Sequence, residues 1–143
     1  MTPWPIAVVR AAVDAAGGSL LQAPTPGRWL IAPHFALSEP FEAPVPWPAR
    51  SDAAADALLQ RLLSMTARAP VVNARVSIDA DGHPTDVAYV VDGTAIRVAM
   101  PYARVLTLCQ RVLAIVRSDR PVTHWPLVGL HEDRDVALVW PLV

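Results

Sequence analysis

Lysine is missing from this chain, and asparagine occurs once, as Asn73. All twelve basic residues are arginine. With Ala, Val and Pro abundant, this reads as the codon bias of a high-GC genome rather than as avoided lysine chemistry. The single cysteine, Cys109, excludes an intramolecular disulfide. It falls on the apolar face of an expected helix, where a thiol serves as a small core residue rather than a nucleophile. Net charge is only −1, which removes the electrostatic case for nucleic acid or an anionic membrane. No apolar run approaches the ~18 residues of a membrane span, and no basic segment precedes an apolar one as in a secretory signal. The expected location is therefore the cytoplasm.

Known chemical motifs are also missing. There is no HExxH, no cysteine pair, no EF-hand loop, no P-loop, no dinucleotide fingerprint and no G-x-S-x-G. No cofactor and no metal are expected on these grounds.

Apolar residues and proline are plentiful. The chain is 53% hydrophobic and 17% charged, against typical values of about 45–50% and about 25%. The excess suggests apolar surface for a partner or for self-association. Four of five tryptophans are followed by proline: Trp4-Pro5, Trp47-Pro48, Trp125-Pro126 and Trp140-Pro141. A large ring on stiff backbone suits docking, either into the chain's own core or onto a partner. The candidate partner-binding residues are Trp47, Phe41, Phe35 and Trp4, with Leu108 and Ile115 for homodimer formation.

Periodicity divides the chain into elements. Residues 2–16 read as a helix started by Thr2 and two prolines and stopped by Gly17-Gly18. Residues 19–50 hold seven prolines and read as an irregular, aromatic arm, with one edge strand near 27–32. Residues 51–68 form a helix capped by Ser51, with Ala55, Leu58, Leu59, Leu62 and Met65 on one face. Residues 71–100 alternate as a three-strand meander, turned at Asp81-Gly82 and Asp92-Gly93. A second helix is expected over 101–118, with Tyr102, Val105, Leu106, Cys109, Val112, Leu113 and Val116 as its stripe. Residues 123–142 form a second hairpin around the polar His131–Asp135 connection. The sum is one α+β domain, an extension over 1–50 and a core over 51–143. The core has about five antiparallel strands with two main helices on one face.

The α-β-β-β-α-β-β order, with Val76-Ser-Ile-Asp-Ala-Asp-Gly82 on the first hairpin and Leu127-Val-Gly-Leu-His-Glu-Asp133 on the last, resembles the type III secretion chaperone-like fold. That superfamily includes YbjN-like proteins. The resemblance covers roughly residues 52–142 and implies protein binding rather than catalysis. The chain departs from the chaperone pattern in lacking a third helix after the last strand, in its charge balance and in its proline-rich arm.

The leading expectation is thus a non-enzymatic protein-binding domain of the chaperone, immunity or accessory-subunit type. The alternative is a small metal- or histidine-dependent enzyme using His124, His131 and Glu132. A further alternative is a small-ligand sensor whose pocket lies between the sheet and the arm. His34 and His83 read as exposed turn histidines.

Overall fold

The computed structural model of the chain describes residues 3–17, 20–23, 28–42, 48 and 50–142. Trp47, Thr2 and Val45 lie outside the described residues.

The fold is α+β and its sheets are antiparallel, but the strands form two sheets rather than one of five. Helix α1 spans Ile6–Ala16. Strands β1 (Leu21–Ala23), β2 (Trp29–Ala32) and β3 (Phe35–Ser38) follow. Next come α2 (Ala53–Ser64) and β4 (Arg68–Pro70). The meander is β5 (Asn73–Ile78), β6 (Pro84–Val91) and β7 (Thr94–Ala99). Then come α3 (Met100–Thr107), β8 (Arg111–Ile115), a 3-10 turn at Val122–His124, β9 (Leu127–His131) and β10 (Arg134–Val139). The large sheet runs β1-β2-β3-β10-β9-β8-β4, and the small one β5-β6-β7.

The large sheet is covered on both faces, which corrects the expectation of helices on one side. Leu30, Phe35, Leu37, Leu127 and Val139 share a core with Val9 of α1, Leu106 of α3, and Val87 and Ile96 of the small sheet. Trp29, Ile31, Ala36, Val128 and Leu138 pack instead with Leu59 and Leu62 of α2. Both sides of β2 and β3 are buried, so these strands carry near-continuous apolar sequence without alternation.

Local chemistry sets the element ends. Helix α1 begins only at Ile6, because Trp4 pairs with the arm. Trp4 N–H donates to the Pro40 carbonyl at 3.0 Å, and Glu42 N–H donates to the Trp4 carbonyl at 2.9 Å. Gly17, at φ +63°, ends α1 with its N–H on the Val13 carbonyl. Asp52, not Ser51, caps α2: its Oδ1 accepts N–H from Ala54 at 2.8 Å and Ala55 at 3.0 Å. Helix α2 stops at Ser64, and the residues expected to end it lead into β4.

The largest departure is at 101–118. Helix α3 ends at Thr107, and Arg111–Ile115 is a strand between β4 and β9. Val112, Leu113, Ala114 and Ile115 form a short continuous apolar run. Such a run fits a buried strand and a buried helix equally until its neighbours are known. The meander stands as expected in its three strands and turns. However, β5 is exposed on both faces, with Val72, Val76 and Ile78 at 70%, 56% and 64%. The C-terminal hairpin closes with two residues, Glu132 and Asp133, at φ +51° and +61°. It is tighter than the five-residue connection expected.

Candidate functional site

Three of the residues expected to meet a partner are in the chain's own interior. Trp4, Phe35 and Ile115 are 1%, 0% and 0% exposed. The physical reason is layer count: a sheet covered on both faces needs more large apolar side chains than a one-sided sheet. Phe41 is half-buried against the core and bridges Trp4. Leu108 is exposed.

Three Trp-Pro units, those at Trp4, Trp125 and Trp140, work as internal staples. Trp4 Nε1–H donates to the Ser38 carbonyl at 2.8 Å, holding the arm. Trp125 Nε1–H is shared between the carbonyls of Arg117 at 2.9 Å and Arg120 at 3.1 Å. Trp140 N–H donates to the His34 carbonyl at 3.0 Å, joining the end of β10 to the β2–β3 turn. In each unit the tryptophan makes the hydrogen bond while the proline has no N–H needing a partner.

The second and third staples frame a cleft of about 730 Å³. Its cationic side carries Arg61 from α2, Arg117 and Arg120 from the loop after β8, and His124 from the 3-10 turn. Tyr102, His34 and Trp140 add rings, and no carboxylate lines it among the described residues. The His34 and Tyr102 rings lie 5.8 Å apart, tilted by 34°. Burial raises the Tyr102 phenol above its ordinary range, so its O–H remains a neutral donor. Arg117 Nε is shielded from solvent and has no hydrogen-bond partner among the described residues. Neither Arg61 nor Arg117 forms an ion pair among the described residues.

A second cavity of about 310 Å³ adjoins it, sharing Pro33, Leu58 and Trp140. Its other walls are Leu21, Ile31, Ala32, Ala55 and Leu59. The pair is a basic chamber opening beside an apolar one.

The histidines of the alternative reading are not brought together. His124 lines the large cleft. His131 and Glu132 line a separate cavity of about 70 Å³ with Glu39, Pro40, Arg134 and Val136. Cys109 is not on a helix but just beyond α3. Burial pushes its thiol up to about 12, so it stays protonated at neutral pH.

The β5–β6 turn holds the one group of potential metal ligands found among the described residues. Ligand atoms of Asp79, Asp81 and His83 lie within 4.8 Å of one another, all exposed. Asp79 Oδ1 accepts N–H from Asp81 and from His83, each at 2.9 Å. On sequence His83 reads as an exposed turn histidine; the D-x-D-x-H spacing of Asp79, Asp81 and His83 is the signal that marks the cluster.

No helix among the described residues is long and apolar enough to cross a membrane. Comparison with protein-family models, with curated proteins and with solved structures finds no match to this chain.

Proposed function

We propose that the chain is a small-ligand-binding domain whose ligand is an amphiphilic organic anion: a carboxylate or similar head on an apolar tail. The observation behind this reading is the paired cleft. Three guanidiniums stand beside an apolar chamber, two of them, Arg61 and Arg117, without an ion pair among the described residues and the third, Arg120, 4.0 Å from Asp119; the two cavities share Leu58 and Trp140. Guanidinium–carboxylate hydrogen bonds are charge-assisted and directional, so the head would lie toward Arg117 and Arg61. The tail would lie against Leu21, Ile31 and Leu59. Concave, mostly apolar sites with a few convergent polar groups are the usual form of small-molecule sites.

The test is titration with decanoate, decanol and acetate, followed by Trp fluorescence and melting temperature. Decanoate should bind and raise the melting temperature, with acetate and decanol each at least about tenfold weaker, a difference of ~1.4 kcal/mol. Arg117→Gln should weaken decanoate but not decanol. Equal binding of decanoate and decanol, or no binding of decanoate, would remove this reading.

A second reading rests on Asp79, Asp81 and His83, which together could supply three ligands to a divalent cation, with water completing the shell. Calorimetric titration of chelator-treated protein with Mn²⁺ and Zn²⁺ tests it. Loss of the binding heat in Asp81→Asn would support this site, and unchanged heat would dismiss it.

A further inference from the structure

Three of the four sheet edges are short or already covered. β1 and β4 have three residues each; Gln22 N–H of β1 is taken by the Arg50 carbonyl, and β4 ends in Pro70. On β7, the Arg97 carbonyl accepts the Leu142 N–H at 2.7 Å. The remaining edge, β5, is six residues long, contains no proline and has no strand beyond it among the described residues, although Asn73 Oδ1 accepts the Ala74 N–H at 2.8 Å. An edge of this kind leaves alternate backbone N–H and C=O groups open to another strand.

The side chains of β5 are also arranged for pairing. Val76 sits beside Val87 and Ala74 beside Tyr89 on β6. Val87 and Tyr89 are buried, whereas Val72, Val76 and Ile78 account for three of the six large apolar residues exposed among the described ones. The apolar face of the small sheet thus runs past the core that covers it. The opposite face carries Asn73, Arg75, Ser77 and Asp79.

We propose that β5 pairs antiparallel with β5 of a second copy of this chain, joining two three-stranded sheets into one of six strands across a two-fold axis. The strand is self-complementary. Directly opposed residues of an antiparallel pair lie on one face, so a two-fold axis through a residue keeps apolar against apolar. With the axis at Ser77, Val76 opposes Ile78 of the second copy, and Arg75 opposes Asp79 of the second copy, each twice. An axis at Arg75 would set two guanidiniums against each other, and an axis at Val76 would set Arg75 against Ser77, so the Arg75–Asp79 pairs favour the axis at Ser77. An isologous contact of this kind closes on itself and stops at the dimer. In this register residues 75–79 of each copy overlap, a seam of ~17 Å, which places it among small interfaces and in a concentration-dependent equilibrium.

Sedimentation velocity of the full chain over a wide concentration range tests this. Wild type should pass from monomer to dimer. Val76→Arg should keep a wild-type melt and raise the half-dimerisation concentration by at least about tenfold. Arg75→Asp should do the same by facing Asp79. Should Val76→Arg fail to fold, Arg75→Asp, on the exposed face of β5, decides alone. A monomer at every concentration overturns the proposal. So does a dimer indifferent to Val76→Arg and Arg75→Asp, which would place self-association on another face such as that of Leu108.

Discussion

Arg97 holds Asp86 across the β6–β7 ladder, with Nη2 2.6 Å from Oδ2 and Nε 3.4 Å from Oδ1. Asp86 is 4% exposed, while the Arg97 side chain is largely in solvent. The hydrogen bond from Arg97 lowers the Asp86 pKa; burial opposes this, and Ser77 and Thr85 assist it. A carboxylate depressed in the folded state stabilises the fold above its unfolded value of ~3.9 and loses that contribution as pH falls through the folded value. Asp86→Asn should therefore cost about 1–3 kcal/mol at pH 7, the worth of a charge-assisted hydrogen bond. It should also flatten the acid limb of melting temperature against pH. An unchanged acid limb would show that other carboxylates govern it.

Cys109 occupies the space that a side chain at Gly129 would need. A Cβ built there would overlap Cys109 Sγ, lie 3.1 Å from Cys109 Cβ and 3.3 Å from Ala137 Cβ. Gly129→Ala should destabilise by about 1–3 kcal/mol through overpacking. Cys109→Ala in the same chain should recover part of that loss, measured as non-additivity in urea melts.

Arg68 forms a two-pronged ion pair with Asp135, at 2.6 and 2.8 Å, with both side chains mostly buried. Arg68 also donates to the carbonyls of Leu63 and Met65. The pair thus ties the end of α2 to β10. A double-mutant cycle of Arg68→Met and Asp135→Asn should give a coupling of about 1–3 kcal/mol, above that of an exposed pair.

Trp4→Phe retains a ring in the core but removes the donor to the Ser38 carbonyl. The expected cost is about 1–3 kcal/mol, the penalty of a buried acceptor left unpaired. Because Trp4 is interior, the loss should appear in the isolated chain with no partner added.

The sequence was most readable where two signals coincided. The meander had period-two alternation and two Asp-Gly turns; α2 had both a polar Ser51-Asp52 start, although the cap is Asp52 rather than Ser51, and a helical stripe. It was least readable where burial on both faces erased periodicity. Arg111–Ile115 continued the stripe of α3 closely enough to look helical, and β3 looked like an arm because its partner β10 lies about a hundred residues away. Trp4 and Phe35 looked available because nothing local shows which aromatics a second covered face will take. The cleft was harder still. Arg61, Arg117, His124 and Trp140 come from four separate segments; the sequence marks His124 as a candidate site residue and Trp140 as a Trp-Pro unit, but nothing local joins them to the two arginines.

The order of the large sheet also bears on when it can assemble. β10, last of the strands in the chain, is the middle strand, flanked by β3 and β9. During synthesis the β2–β3 hairpin therefore waits for about a hundred residues before its lateral neighbour exists. Such long-range pairing slows folding relative to local helical contacts. A nascent chain that lacks β10 can make the meander, but it has no strand to join the two wings of the large sheet.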